Sequence, residues 1–361
     1  MKNKDNFLIL LSSLLTLSLG LFTLSAPYKS FSQKENRPLA GAPAVSLEGI
    51  VNGEYFEELS LFLKDQLALR DTWVSLHALC ELGLLKLETN GVIYASGGRL
   101  ITRPSKINVE RLRSNAERIT SLSGGKALLY VPPRSIDAFR DLLPSAYDYE
   151  SEFESFGALE GETLLMLEEF LSLRSRANYY RTDHHWTTDG AYFAYTQICD
   201  RFSIDAAPKE YFSIEEVTDS FRGTSFSRSG LPMFAISPES IYLYRYKNDS
   251  LASVINRETN EQQSGFYDLD ALSTLDGYRV FLGGNYSHLS IRLNDGVSRP
   301  KLLLIKDSFA NSLIPFLALH YDLEVIDPRY CAPSLLVEHL KDESYAKVLA
   351  LMSFDTLEGV R

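Results

Sequence analysis

Three short apolar runs near the end of the chain, at 302–305, 323–326 and 348–351, constrain the fold more than any other feature of the sequence. Each is too short for a helix, and helical stretches separate them. Strands that are apolar at nearly every position are buried on both faces, and strands alternating with helices build a parallel sheet. Residues 126–133 form another run of this kind, ending in proline, and residues 278–282 read as a further strand. The chain is therefore read as α/β. With 361 residues, 45% hydrophobic and 23% charged, it can bury a sizeable core. A formal net charge of −11 disfavours nucleic acid, which is bound by cationic neutralisation of phosphates. Cys80, Cys199 and Cys331 form no CxxC pair and are odd in number, so neither a zinc cluster nor a disulfide framework is indicated.

After Lys2 and Lys4 comes an uncharged apolar stretch, 7–26, long enough to cross a hydrocarbon core of about 30 Å. Residues 1–26 are read as a signal peptide or membrane anchor. The two lysines stay on the cytoplasmic side and everything beyond is exported, either anchored to the cytoplasmic membrane or secreted after cleavage. Residues 27–48, rich in Ser, Pro, Ala and Gly, read as a linker, and 49–361 as one folded domain. Within it, 54–85 has the spacing of one or two amphipathic helices, 91–101 of a hairpin, and 106–123, 136–143 and 160–176 of helices. A helix opened by Thr187 or Thr188 carries Tyr192, Tyr195, Cys199 and Phe202 along one stripe. Residues 207–276 are polar, with hairpin signals, and read as a β-rich insertion.

Two segments carry the chemistry. Lys306-Asp307-Ser308-Phe309-Ala310-Asn311-Ser312 follows a buried strand and opens a helix, which places Ser308 at the carboxyl edge of the sheet, where ligands bind. A serine there has backbone N–H groups beside it to stabilise an oxyanion. From this turn alone, capping of the helix by Asp307 or Ser308 is the commoner use of these residues. The second segment is Tyr180-Arg181-Thr182-Asp183-His184-His185-Trp186, with two of the six histidines beside an acid. In an extended segment Asp183 and His185 share a face while His184 points away. A serine hydroxyl needs a histidine to take its proton, and that imidazole needs its tautomer fixed by a carboxylate. The three residue types are present. A metal site on both histidines with Asp183 or Asp189 is the competing reading; divergent neighbours and the absence of a spaced ligand set weigh against it. Asn285, after Gly283-Gly284, is a candidate oxyanion donor. Arg329, in Asp327-Pro328-Arg329-Tyr330, either contacts substrate or pairs with Asp327.

The segments Thr182-Asp183-His184-His185-Trp186 and Lys306 to Ser312 together resemble the DHHW family of bacterial exported proteins. Asn90-Gly91-Val92-Ile93-Tyr94, Leu282-Gly283-Gly284-Asn285-Tyr286 and Ile326-Asp327-Pro328-Arg329-Tyr330 look like that family's patterns too. That family is similar to the SGNH-hydrolase-like domain of periplasmic alginate O-acetyltransferases, in which an Asp-x-His-Trp segment precedes the nucleophilic serine. The resemblance implies a three-layer, flavodoxin-like α/β domain with a mainly parallel sheet, an N-terminal helical extension and a β-rich insertion. It implies acyl transfer on a cell-envelope polysaccharide without a cofactor or metal. Ser308 would be the nucleophile, His185 the base and Asp183 its orienting acid, with Asn285, Arg329 and Trp186 at the substrate or oxyanion side. It also implies a membrane-bound acyltransferase partner supplying acetyl groups. Hydrolysis, as in an acetylesterase, uses the same residues. The alternative is a non-catalytic envelope protein that binds glycan or scaffolds partners on the same fold.

Overall fold

A computed structural model describes residues 2–35, 37–147, 149 and 178–360; the helix expected over 160–176 lies outside them. The chain divides into two compact units, Met1–Asn90 with Ser227–Ala235, and Gly91–Phe226 with Ile236–Arg361.

The first unit begins with helix α1 (Lys2–Ser25). Its stretch Asn6–Ser25 has a mean hydropathy of 2.2 and is long and apolar enough to cross a membrane. Residues 27–48 contain a two-residue antiparallel ladder, Phe31–Ser32 against Arg37–Pro38. The expected amphipathic stretch is two helices, α2 (Glu54–Gln66) and α3 (Arg70–Gly83). The buried Asp65 carboxylate of α2 accepts from Arg37 at 2.6 Å and from the Ala40 N–H at 2.9 Å, tying the ladder segment to the helix.

The second unit opens with a hairpin, β1 (Val92–Ala95) and β2 (Arg99–Thr102), turning through Gly97 and Gly98. Both glycines sit at positive φ, a conformation that costs glycine little. Helix α4 (Val109–Leu122) is capped by the Asn108 side chain. It leads into β3 (Ala127–Tyr130), buried at every position. The helix expected over 136–143 is reduced to one turn, Ser135–Ala138, and a 3-10 turn, Arg140–Leu142. Helix α5 (Thr188–Phe202) is capped by Thr187, as its sequence indicates. There follow β4 (Ser213–Phe221), β5 (Glu239–Arg245), β6 (Ala252–Asn256), β7 (Gln262–Ser264), β8 (His288–Leu293), β9 (Lys301–Lys306) and β10 (Asp322–Ile326). Helix α6 (Pro333–Lys341), β11 (Lys347–Leu351) and α7 (Phe354–Gly359) complete the unit.

Seven of these strands form one sheet in the order β7-β6-β8-β10-β9-β11-β3. The β10-β9-β11-β3 half is parallel, whereas β8 pairs antiparallel with β10, β6 with β8, and β7 with β6. The sheet is thus mixed rather than mainly parallel. Residues 207–276 do not stand apart as a whole: β4 and β5 form their own ladder, but β6 and β7 extend the main sheet. The run at 278–282 begins as a 3-10 turn, Gly277–Val280, and is not a strand; Tyr278, Val280 and Phe281 pack with Tyr180, Phe221 and Ile241 in a small separate cluster, while Leu282 joins the main core.

Alternation along the parallel strands divides the core. Leu302, Leu304, Leu349 and Leu351 face α5, with Ala194, Tyr195 and Ile198. Leu303, Ile305, Val348 and Ala350 face the other way, against Leu112 of α4, Leu336 of α6 and Leu357 of α7. This makes three layers, and it explains why the central strands are apolar throughout. Leu304 has no exposed surface. Replacing it with Ala removes a fully buried side chain from an interior strand and is expected to cost about 2–5 kcal/mol, read as a lower midpoint in urea unfolding; an unchanged midpoint would contradict the packing described.

Candidate active site

The Asp183–His185 segment is a closed loop. Tyr179 and Trp186 form a β-bridge, the Thr187 N–H donates to Asn178, and the Tyr180 N–H donates to the His185 carbonyl. Neighbouring elements hold the loop from outside. Glu239 accepts from the Arg181 and Thr182 N–H groups, each at 2.8 Å, and Leu100 of β2 donates to the Arg181 carbonyl. The closure turns His184 back toward its neighbour, so the two histidines do not diverge as an extended segment would have them. Their rings lie 3.8 Å apart, and His184 Nδ1 is 3.6 Å from Asp183 Oδ1.

Ser308 begins a 3-10 turn, Ser308–Ser312, directly after β9, and a single α-turn, Ile314–Leu317, follows instead of a long helix. Capping falls to Asp307: its Oδ1 accepts from the Phe309 N–H at 3.0 Å, and its Oδ2 from the Ser353 N–H at 2.7 Å and the Thr356 hydroxyl at 3.0 Å. The capping expectation and the nucleophile expectation therefore fall on adjacent residues. Asp307 is buried with its carboxylate committed, while Ser308 stays partly accessible with its hydroxyl turned to the histidine.

The structure brings Asp183, His185 and Ser308 into one line. His185 Nδ1 lies 2.6 Å from Asp183 Oδ1, and His185 Nε2 lies 2.8 Å from Ser308 Oγ. An ionised carboxylate only accepts, so Nδ1 carries the proton and Nε2 offers its lone pair to the serine. Asp183 is 1% exposed. Burial alone would raise its carboxyl, but the neighbouring charges of His185 and His184, the His185 hydrogen bond and the Thr224 N–H hold it well below the usual carboxylate range. Its Oδ1 also accepts from the His185 N–H, and its Oδ2 from the Thr224 N–H at 2.6 Å. Desolvation and the charge of His185 push the His184 ring down to about 4. The metal reading has Asp183, His184 and His185 with ligand atoms within 4.8 Å of one another. Both nitrogens of His185 are already engaged by Asp183 and Ser308.

The remaining expected residues fall in different places. Asn285 is exposed and belongs to the Lys306–Asn311 cluster. Its Oδ1 accepts from Lys306 Nζ and from Asn311 Nδ2, each at 3.1 Å, which fixes the amide and leaves Nδ2 to donate. Arg329 pairs with Asp327 through Nε at 2.9 Å and Nη2 at 2.7 Å, the ion-pair alternative of the two considered. Trp186 is fully buried, so it is not at the substrate side: its indole N–H donates to the Phe309 carbonyl and to Ser312 Oγ, bracing the turn that carries Ser308.

Two further residues are not visible from local pattern. Tyr278 lies flat on His185, ring centroids 3.8 Å apart and planes within 2°, so the imidazole is sandwiched between Tyr278 and His184. Gly223 packs on Asp183 so closely that an added Cβ would sit 2.2 Å from Oδ2. Both approach from distant parts of the chain; the only local signals are an aromatic in an apolar run and a glycine in a polar one.

Lys306 is fully buried, 2.8 Å from Asn311 Oδ1 and 3.6 Å from Asp327 Oδ2. Desolvation outweighs Asp327 and lowers its pKa to about 8. Below that pH the folded protein holds a proton that burial disfavours, and between about 8 and the ordinary 10.5 only the unfolded chain holds it fully. The Lys306 contribution to stability should therefore rise with pH across this window. Unfolding free energies measured from pH 7 to 10.5 should show the wild type gaining on Lys306→Met; parallel profiles would refute this.

Comparison with known proteins finds a family match and similar folds. Residues 161–326 match the sequence model of the DHHW protein family. A DHHW family protein from Eubacterium siraeum superposes with a TM-score of 0.61 at 20% identity, covering 75% of this chain and 93% of that one. PatB1 of Bacillus cereus, solved with a sulfonyl adduct, superposes with a TM-score of 0.60 at 18% identity, covering 74% and 95%. The O-acetyltransferase domain of Pseudomonas putida AlgJ aligns more loosely, at 0.43 and 15% identity over 74% and 92%. No curated protein sequence matches. The DHHW match over residues 161–326 takes in both segments that carry the chemistry.

Proposed function

We propose that this protein is an extracytoplasmic serine O-acyltransferase, or the corresponding acetylesterase, acting on a cell-envelope polysaccharide. The observation that supports it most directly is the continuous chain from the buried Asp183 carboxylate through His185 to the accessible Ser308 hydroxyl. In this reading His185 Nε2 takes the Ser308 proton as Oγ attacks the carbonyl of an acyl donor. Asp183 holds the imidazole in the required tautomer and stabilises the imidazolium. The oxyanion forms beside the Ser308 N–H, which heads a turn and has no acceptor within it, and beside Asn285 Nδ2. His185 returns the proton to the leaving group, which leaves an acyl-serine. A sugar hydroxyl or water, deprotonated by the same imidazole, then attacks the acyl-serine and Ser308 is regenerated.

The apolar helix α1 supports an extracytoplasmic location, tethered at the cytoplasmic membrane or released by cleavage. Under that reading, the acetyl group reaches Ser308 from a membrane-bound acyltransferase. PatB1 was solved with a sulfonyl adduct, and in this reading Ser308 reacts with sulfonyl reagents as well.

Ser308 should be labelled by a fluorophosphonate probe or a sulfonyl fluoride, and the wild type should turn over a small acetyl ester. Ser308→Ala should abolish labelling, and Ser308→Ala or His185→Ala should lower turnover by about 10³-fold or more. A folded wild type that neither labels nor turns over ester would favour the non-catalytic reading; full activity in Ser308→Ala would remove the nucleophile. Gly223→Ala, which changes no reacting group, should displace Asp183 and lower kcat by about 10²-fold, the scale of a 1 Å misplacement, while a small ester's KM changes little. Wild-type kcat in that variant would show that Asp183 does not depend on the contact.

A further inference from the structure

A second cluster of metal-ligating side chains lies on the opposite face of the sheet from α5. We propose that His288, Glu324 and His339 form a binding site for a zinc-class divalent cation that fastens α6 to the sheet. The three residues come from three elements: the first position of β8, the middle of β10 and the last turn of α6. One potential ligand atom from each lies within 4.8 Å of the others. The strand register accounts for two of them. His288 is opposite Ile326 and Ser290 is opposite Glu324, so His288 and Glu324 sit diagonally on one face. Leu289, Ile291, Leu323 and Val325 point the other way, into the core.

The surroundings are those of a built site. His288 Nε2 meets Glu324 Oε1, and the two histidine rings approach edge to face with centroids 5.0 Å apart. The Ser290 hydroxyl is 2.9 and 2.8 Å from the two Glu324 oxygens, fixing the carboxylate. His339 Nδ1 is 2.5 Å from the buried Tyr345 hydroxyl, an outer partner of the kind that orients a ligating imidazole and leaves Nε2 for the metal. Two imidazoles and one carboxylate suit zinc-like cations; calcium and magnesium require mostly oxygen. Arg257, with Nε 4.0 Å from Glu324 Oε1, is half exposed and free to withdraw to solvent as the cation arrives. The site also adjoins the Lys306 cluster in sequence: His288 follows Asn285 by three residues, and Glu324 precedes Asp327 by three.

The test uses the full, untagged chain, stripped of metal by a chelator and titrated with Zn²⁺ against a chromogenic indicator, with Co²⁺ absorption as the second readout. The expected result is one equivalent bound, a visible Co²⁺ spectrum of low coordination number, and a higher Tm with metal. Glu324→Gln and His339→Gln should each abolish the stoichiometric site, and Tyr345→Phe should weaken it about 10- to 100-fold. His184→Ala should leave it intact, which separates this cluster from the Asp183–His184–His185 one. Less than one equivalent in the wild type, retention in a folded Glu324→Gln or His339→Gln variant, or loss in His184→Ala would each overturn the assignment. Metal content and the Co²⁺ spectrum do not depend on whether Ser308 reacts.

Discussion

The organising constraint of the larger unit is a charge kept out of water. A buried carboxylate is costly unless its oxygens are all supplied with donors. Asp183 meets that condition with two backbone N–H groups and an imidazole. Those donors come from its own loop and from the segment at Gly223–Thr224, and the loop is in turn held by Glu239 and the β1–β2 hairpin. Fixing one carboxylate thereby fixes the plane of His185, and Tyr278 and His184 press that plane from both sides. The imidazole has little freedom left by the time it meets Ser308.

A second polar network supports the serine from below. Lys306 ends β9 under the turn, and its ammonium joins Asn285, Asn311 and Asp327; Asp327 in turn holds Arg329. Each of these residues sits at the carboxyl end of a parallel strand or in the loop that packs beside it, the edge where open α/β sheets collect their functional groups. The mixed sheet does not disturb this. Its antiparallel half begins beyond β10, on the far side from β9 and β11.

What the sequence disclosed follows from how each element is buried. The parallel strands are covered on both faces and announce themselves as unbroken apolar runs. Strand β8 is covered on one face only, so its evidence is alternation: Leu289, Ile291 and Leu293 inward, His288, Ser290 and Arg292 outward. The denser apolar run at 278–282 imitates a buried strand, but its burial serves a 3-10 turn packed mostly in a satellite cluster. Ser308, His185 and Asp183 were legible because general-base chemistry requires those residue types near a strand end. The position of His184 was not, because a rule for extended chain misses a tight loop whose flanking residues Tyr179 and Trp186 pair with each other. Gly223 and Tyr278 reach the site through tertiary packing alone, which leaves no periodic trace.

The capping arrangement at Asp307 ties the reactive turn to the far end of the chain. One oxygen serves Phe309 beside the serine, and the other serves Ser353 and Thr356 at the start of α7. Proteolytic clipping ahead of Ser353 would leave every residue from Asp183 to Ser308 in the polypeptide and still strip the Asp307 carboxylate of two of these three partners. The closing segment is in this sense a buttress, and trimming it to tidy an expression product would loosen the hydroxyl some fifty residues upstream.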